Sequence, residues 1–256
     1  MKIADALGVQ LVSFTCFNDI ERSLSAIAQM GFINVETIGD HLDDAHKMRG
    51  MLDSQGLVAI SGHVGLPEVQ QRLRWVIEQS LVLGAKEVYM PAVPPELRNS
   101  RKEFWQALGA ELGEMASEFK QAGIQFGYHN HDWEFAAFKD GSYPLDYLMQ
   151  GSEGSGLTWQ ADFSWIRRGG QNPFEWLQTY KNRLSSIHLK DELPSPFDPV
   201  YRGWCALGDG VLNMHDAIGE MTAIQPAVSW FLEHERAQDP VQFCRDSRNF
   251  VLKNFN

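Results

Sequence analysis

Four apolar runs in the second half of the chain end in a side chain that can ligate a metal. They are Phe126-Gly127-Tyr128-His129, Leu157-Thr158-Trp159-Gln160-Ala161-Asp162, Leu184-Ser185-Ser186-Ile187-His188 and Val228-Ser229-Trp230-Phe231-Leu232-Glu233. Each reads as a short β-strand with the ligand-type residue at its C-terminal end. In a barrel of parallel strands, that end is the face on which active sites are built. Two imidazoles and two carboxylates gathered on one rim make a mixed nitrogen and oxygen set suited to a divalent ion.

Each residue also has a plainer reading. His129 and His131 are two apart, so an extended chain points them to the same side; the pair suits two ligands, or a ligand and a substrate contact, or a polar strand end. Asp162 could be the N-cap of a following helix. His188 could be a hydrogen-bonded core histidine, and Glu233 solvated charge. Four such residues at four successive strand ends favour the shared site over four separate coincidences. Glu36 and His63 end the second and third strand-like runs and face the same rim, where substrate contact and local packing both remain open. Lys190 could hold a substrate oxygen or pair with Asp191. Trp133, Trp165 and Trp204 sit near the expected rim loops, where each could stack on a sugar face or pack against its neighbours. Arg167-Arg168 could meet an anion or lie solvated. Gly208-Asp209-Gly210 lacks the strand that a nucleotide cradle requires and reads as a tight turn before a helix.

The elements that must position these residues alternate along the whole chain. Strand-like runs centre on Val9–Val12, Ile33–Glu36, Leu57–Ser61, Glu87–Met90, Ile124–His129, Leu157–Asp162, Leu184–His188 and Val228–Glu233. Between them lie stretches of helical spacing. From Glu68 to Leu83, the residues Val69, Leu73, Val76, Ile77, Leu81 and Leu83 mark an apolar face, opposite Arg72, Arg74 and Glu78. From Arg101 to Ala122, the face is Phe104, Leu108, Leu112, Met115 and Phe119, with Gly123 as the stop. Strand–helix alternation predicts a parallel sheet. Eight repeats in 256 residues predict one α/β domain, a TIM (β/α)8 barrel over residues 1–256. The Pro-rich stretch from Leu193 to Pro199 is expected to be a loop after the seventh strand, on the side where loops carry specificity.

Composition narrows the function. Hydrophobic residues make up 44% of the chain, enough for a large core. A net charge of −11 argues against nucleic acid and against an anionic membrane surface as partners. Cys16, Cys205 and Cys244 form no CxxC pair and suit a reducing compartment. The first residues lack an apolar signal core, and no run approaches a membrane span. The expectation is a cytoplasmic protein whose partner is a small molecule, with self-association left open.

Several segments taken together resemble the xylose-isomerase-like TIM barrels. That superfamily covers sugar isomerases, epimerases and related dehydratases, with the apurinic endonucleases as relatives. The likeness is carried by Gly8-Val9-Gln10-Leu11, Gly31-Phe32-Ile33-Asn34-Val35-Glu36, Tyr128-His129-Asn130-His131-Asp132-Trp133-Glu134-Phe135, Asp162-Phe163-Ser164-Trp165, Ile187-His188-Leu189-Lys190-Asp191 and Gly208-Asp209-Gly210. The fifth-strand segment and His188-Leu189-Lys190-Asp191 point to the sugar phosphate isomerase/epimerase branch. The resemblance implies one metal held by His129, Asp162, His188 and Glu233. The chain departs from the keto-sugar epimerases of that group at His129, where they carry a glutamate that doubles as an acid/base.

The resulting expectation is a metal-dependent isomerase or epimerase acting on a small sugar, keto-sugar or polyol. It would abstract a proton next to a carbonyl and pass through a metal-stabilised enediolate. Glu233 is the first candidate for proton transfer, with His131 and Glu134 next. Glu36, His63, Lys190 and Trp165 are the candidate substrate contacts. Two imidazoles favour Mn²⁺, Co²⁺, Zn²⁺ or Fe²⁺ over Mg²⁺. The alternative is a dehydratase or lyase acting on a keto-inositol or 3-keto-glycoside through the same intermediate. A metal-dependent hydrolase or endonuclease, and a non-catalytic sugar-binding barrel, are further readings.

Overall fold

The computed structural model describes residues 3–195 and 203–255. Eight parallel strands close into a barrel in chain order: Leu7–Gln10, Asn34–Thr37, Val58–His63, Glu87–Met90, Gln125–His129, Thr158–Asp162, Leu184–Leu189 and Ser229–Leu232. The last strand returns to the first through Leu7↔Trp230, Gly8↔Phe231 and Val9↔Leu232. That closure needs a glycine at position 8, because a β-carbon there would lie 2.6 Å from the Phe231 ring. A two-residue antiparallel ribbon, Asp191–Glu192 with Trp204–Cys205, sits beside the rim after the seventh strand.

All eight strands lie within two residues of where hydrophobic patterning puts them. The first is shifted: it runs Leu7–Gln10, and Leu11–Phe17 turns into a 3-10 helix. The side chain of Gln10 causes the turn by accepting the Val12 N–H at 3.1 Å, which takes that donor from any sheet ladder. The two predicted helices appear as Leu66–Leu83 and Lys102–Gln121. Leu81, expected on the apolar face, is 50% exposed. The helix is kinked at Arg72 (φ −137°), and its buried stripe is Leu66, Val69, Val76, Ser80 and Leu83, which leaves Leu81 off to one side. Residues 196–199 of the Pro-rich stretch lie outside the described residues.

Strand alternation divides the interior into two environments. One parity is apolar and packs under the helices: Val9, Val35, Ala59, Val88, Phe126, Trp159, Ile187 and Trp230 are all buried. The other parity fills the barrel, and it is largely polar. At the bottom, the Tyr89 hydroxyl donates to Glu87 Oε2 (2.9 Å) and lies 2.8 Å from Ser185 Oγ, while the Ser229 hydroxyl donates to Glu87 Oε1 (2.9 Å). In the middle, Gln10, Ser61, Gln160 and Ser186 form one hydrogen-bonded network with Glu36. Gly127 makes room for this filling, since a β-carbon there would come within 2.7 Å of the Tyr89 ring. The histidines and carboxylates of the candidate site form the top layer.

Candidate active site

The four strand ends do converge. His129, Asp162, His188 and Glu233 each offer one ligand atom, and these atoms lie within 4.8 Å of one another. All four residues are buried.

Each side chain is aimed by its own supports. Asn130 Oδ1 accepts the Asp162 N–H (3.1 Å) and the Trp159 indole N–H (2.9 Å), which ties the fifth and sixth strand ends together. Asp162 serves two purposes. Its Oδ1 accepts the Trp165 N–H at 2.9 Å and caps the helix Phe163–Arg168, while its Oδ2 faces the Lys190 ammonium at 2.9 Å. The N-cap and the ligand readings of this residue are therefore compatible. His188 is held between two carboxylates, with Nε2 2.7 Å from Glu36 Oε2 and Nδ1 3.2 Å from Glu233 Oε2.

Lys190 is the second anchor of the rim. It is fully buried and pairs with Asp162, with Glu233 Oε2 at 2.6 Å and with Glu235 Oε1 at 3.1 Å. It does not pair with Asp191. That carboxylate turns the other way and accepts the backbone N–H groups of Glu192, Gly208, Gly210 and Leu212, fixing the turn before the helix Met214–Ile224.

The electrostatics follow from this packing. Burial disfavours the charge on Lys190, but Asp162, Glu233 and Glu235 outweigh it and hold the ammonium protonated. Burial works against the Glu233 carboxylate, yet Lys190 and His188 hold its pKa well below the ordinary value. Asp162 is pushed up to about 6, chiefly by burial, with Lys190 opposing. His188 is raised to about 10: burial lowers it, and the two flanking carboxylates more than compensate. His129 and His131 are pushed well below the usual histidine value, first by burial.

The arrangement fits a divalent cation. His129 Nε2 is buried without a hydrogen-bond partner, a costly state for a ring nitrogen unless something accepts its lone pair. Asp162 and Glu233 already hold a cation, the Lys190 ammonium, so the pocket is built for positive charge. The donor set is two nitrogens and two oxygens, which first-row transition ions accept.

Other candidate residues sit at different depths. His63 stacks on His188 at 5.2 Å between ring centroids, and its Nε2 lies 2.6 Å from Gln160 Oε1. His131 stacks on Trp133 at 4.2 Å and tilts against Trp165 at 5.3 Å, with its Nδ1 unpartnered. The Trp165 indole donates to Glu235 Oε1 at 3.1 Å. Arg167 and Arg168 both meet Glu192, so neither is a free anion site.

Two expectations need correction. Glu36 is a support below the ligands rather than an open rim group: Gln10, Ser61, Gln160 and His188 all donate to its carboxylate. Glu134 faces away from the ligand set, accepting the Tyr128 hydroxyl and, at 2.8 Å, the His131 N–H. Burial lifts its pKa to about 7, but its oxygens are committed to holding the His131 loop.

Sequence reasoning passed over Gln160 and Glu235. Gln160 precedes Asp162 by two, so strand parity alone puts both on the inner face. Glu235 gave no such signal, because it lies beyond the last strand.

The model of the xylose isomerase-like TIM barrel family matches residues 24–253. A sugar phosphate isomerase/epimerase of Parabacteroides distasonis superposes with a TM-score of 0.79 at 20% identity, over 95% of this chain and 92% of that one. The IolI protein with a bound zinc atom also gives 0.79, at 13% identity over 100% and 99%. An inosose dehydratase of Clostridium beijerinckii is 21% identical over 193 residues, which is 68% of this chain but only 64% of that protein's length. With that family's model matched over nearly the whole chain, the chain belongs to the xylose isomerase-like TIM barrel family.

Proposed function

We propose that this chain is a metal-dependent enzyme that removes a proton from the carbon next to a carbonyl in a small sugar, keto-sugar or keto-polyol. The observation that carries the reading is the meeting of His129, Asp162, His188 and Glu233 within 4.8 Å, with the lone pair of His129 Nε2 left bare. A divalent ion, when bound, supplies a Lewis acid for the carbonyl oxygen. Among Mn²⁺, Co²⁺, Zn²⁺ and Fe²⁺ the donor set expresses no preference, and it suits all of them better than Mg²⁺.

Glu233 is the proposed base. Lys190 and His188 keep it ionised, so it can receive the substrate proton. His131 is the proposed second carrier: burial holds it neutral and its Nδ1 is free to accept. His63 and Trp165 are the proposed substrate contacts, and Lys190 orients Glu233 as well as any substrate oxygen beside it. Glu36 and Glu134 support the site from below and behind. Return of the proton to the same carbon gives epimerisation, and to the neighbouring carbon, isomerisation.

A second reading, dehydration through the same enediolate, is favoured by one residue. His129 stands where the resembling epimerases carry an acid/base glutamate, so one face of the substrate lacks its usual carrier. Loss of a β-hydroxyl needs strong basicity on only one face. The likeness to an inosose dehydratase points the same way.

The test is solvent-deuterium incorporation, followed by NMR, into a panel of keto-sugars and keto-inositols with the metal-loaded protein. Exchange at the carbon next to the carbonyl is expected; an epimer or an alkene-derived product then separates the two readings. Glu233→Gln should slow exchange at least ~10²-fold, the lower end for a general base. Absence of exchange across the panel with folded, metal-loaded protein would reject both readings.

A further inference from the structure

The top of the barrel offers two overlapping metal sets. Besides His129, Asp162, His188 and Glu233, the three histidines His63, His129 and His188 also bring nitrogen atoms within 4.8 Å. Which set can hold an ion depends on where the ring protons are. A neutral imidazole has one N–H and one lone pair, and only the lone pair can ligate.

Gln160 controls those protons. Its side chain is fully buried, and both ends are engaged. Nε2 lies 2.7 Å from Glu36 Oε1 and 3.0 Å from Ser186 Oγ; Oε1 lies 2.6 Å from His63 Nε2 and 2.9 Å from His129 Nδ1. The amide cannot be turned over, since that would set its oxygen against a carboxylate that only accepts. Its direction is therefore dictated by chemistry rather than by convention. An amide oxygen is also an acceptor only, so both histidines must donate to it. His63 carries its proton on Nε2 and His129 on Nδ1. Glu36 treats His188 likewise, accepting from Nε2 at 2.7 Å.

We propose that Gln160 is a positioning residue whose amide, oriented by Glu36, fixes the tautomers of His63 and His129 and so directs the metal to the His129–Asp162–His188–Glu233 set. The inference rests on the metal-site reading above. The nitrogens turned toward Gln160 and Glu36 all carry protons, which closes the three-histidine set to a cation. The lone pair left over is that of His129 Nε2, the buried ring nitrogen without a partner; His188 Nδ1, which donates to Glu233 at 3.2 Å in the metal-free protein, yields its proton when an ion takes that place. One network thus selects one site of two and limits the chain to a single ion there.

The experiment uses the full chain labelled with ¹⁵N-histidine and stripped of metal by chelation, with Zn²⁺ as the probe. Long-range ¹H–¹⁵N spectra, assigned with single-histidine variants, should show His129 protonated at Nδ1 and His63 at Nε2. Chelator competition should give one Zn²⁺ per chain. Gln160→Leu should lose the single His129 tautomer and bind Zn²⁺ roughly 10–100-fold more weakly, the range for groups that orient metal ligands. Gln160→Glu keeps two acceptors for the rings, and a proton shared with Glu36 replaces the amide N–H, so it should restore both the tautomer and most of the affinity. A wild-type His129 protonated at Nε2, or a folded Gln160→Leu with unchanged tautomers and affinity, would overturn the proposal. If Gln160→Leu fails to fold, the wild-type spectrum and Gln160→Glu decide. If the tautomers are as stated but the wild type binds no Zn²⁺, the hold of Gln160 on the rings is supported and the metal-site reading is what fails.

Discussion

Lys190→Met tests the central electrostatic claim, that the carboxylates at the rim are a cation site. In the folded chain the Lys190 ammonium is buried against Asp162, Glu233 and Glu235 at 2.6–3.1 Å. Methionine fills similar space and removes only the charge and its hydrogen bonds. Two buried carboxylates then face each other without their counter-ion. Breaking a buried pair in this way costs about 3–5 kcal/mol. For a domain of this size that corresponds to a fall of roughly 6–20 °C in Tm, at ~2–4 °C per kcal/mol. The loss should be specific to metal-free protein. A divalent ion held by Asp162 and Glu233 replaces the missing charge, and binding to the folded state alone adds stability as ligand rises above its Kd. Thermal unfolding with chelator, and again with saturating Mn²⁺ or Zn²⁺, should show the metal raising the variant's Tm by more than the wild type's. The variant should also bind the ion at least as tightly, since no ammonium competes for the same oxygens. If metal raised both proteins equally, or if the variant bound it much more weakly, Lys190 and the ion would not share Asp162 and Glu233. The four-residue site would then be wrong.

Two more predictions test parts of the barrel separately. His188→Ala should lower metal content in elemental analysis, because one nitrogen ligand is lost and Asp162 and Glu233 repel each other; full Mn²⁺ or Zn²⁺ occupancy in that variant would place the ion elsewhere. Glu87→Gln addresses the barrel floor, where burial lifts the Glu87 carboxyl from 4.5 to about 7 against the hydrogen bonds from Tyr89 and Ser229. The folded state then holds a proton that the unfolded state releases, so this group's contribution is full below about pH 4.5 and is lost as pH rises through 7. At 1.36 kcal/mol per unit, wild type should lose about 3 kcal/mol relative to Glu87→Gln between pH 4.5 and 8 in urea titrations. A pH-independent difference between the two would show that Glu87 does not titrate in this window.

The parts of the site that were legible in the sequence are those that local order determines. Strand ends were readable because short apolar runs stop at a polar residue, and the same stop recurs at His129, Asp162, His188 and Glu233. The first strand was misplaced because Val9 to Val12 look like a strand by hydropathy, while a single side-chain hydrogen bond from Gln10 diverts the chain. Leu81 was misjudged because hydropathy alone widens the apolar face beyond the stripe of Val69, Val76, Ser80 and Leu83 that the helix buries. The roles of Glu36 and Gln160 were hidden for a different reason. Their hydrogen bond joins residues 124 positions apart, and no periodicity reports such a pairing. Only closure of the barrel brings the second and sixth strands to the same interior layer.

That interior layer explains why the site is built on strands rather than loops. Parallel barrels commonly fill their centre with branched apolar side chains. Here the centre holds Gln10, Glu36, Ser61, Gln160 and Ser186, each satisfied by another. A polar core contributes less to stability than an apolar one and is costly wherever a partner is missing. It gives in return what an apolar core cannot: donors and acceptors with fixed directions immediately beneath the ligands. His63, His129 and His188 are hydrogen-bonded to Gln160 or Glu36 in the layer below, and Asp162 takes its position from Asn130 and from the helix it caps. The departure at His129 falls on a side chain that this layer supports. Gln160 holds the ring of that histidine through Nδ1, and under the proposed function a nitrogen then stands at the strand end while the change falls on proton transfer.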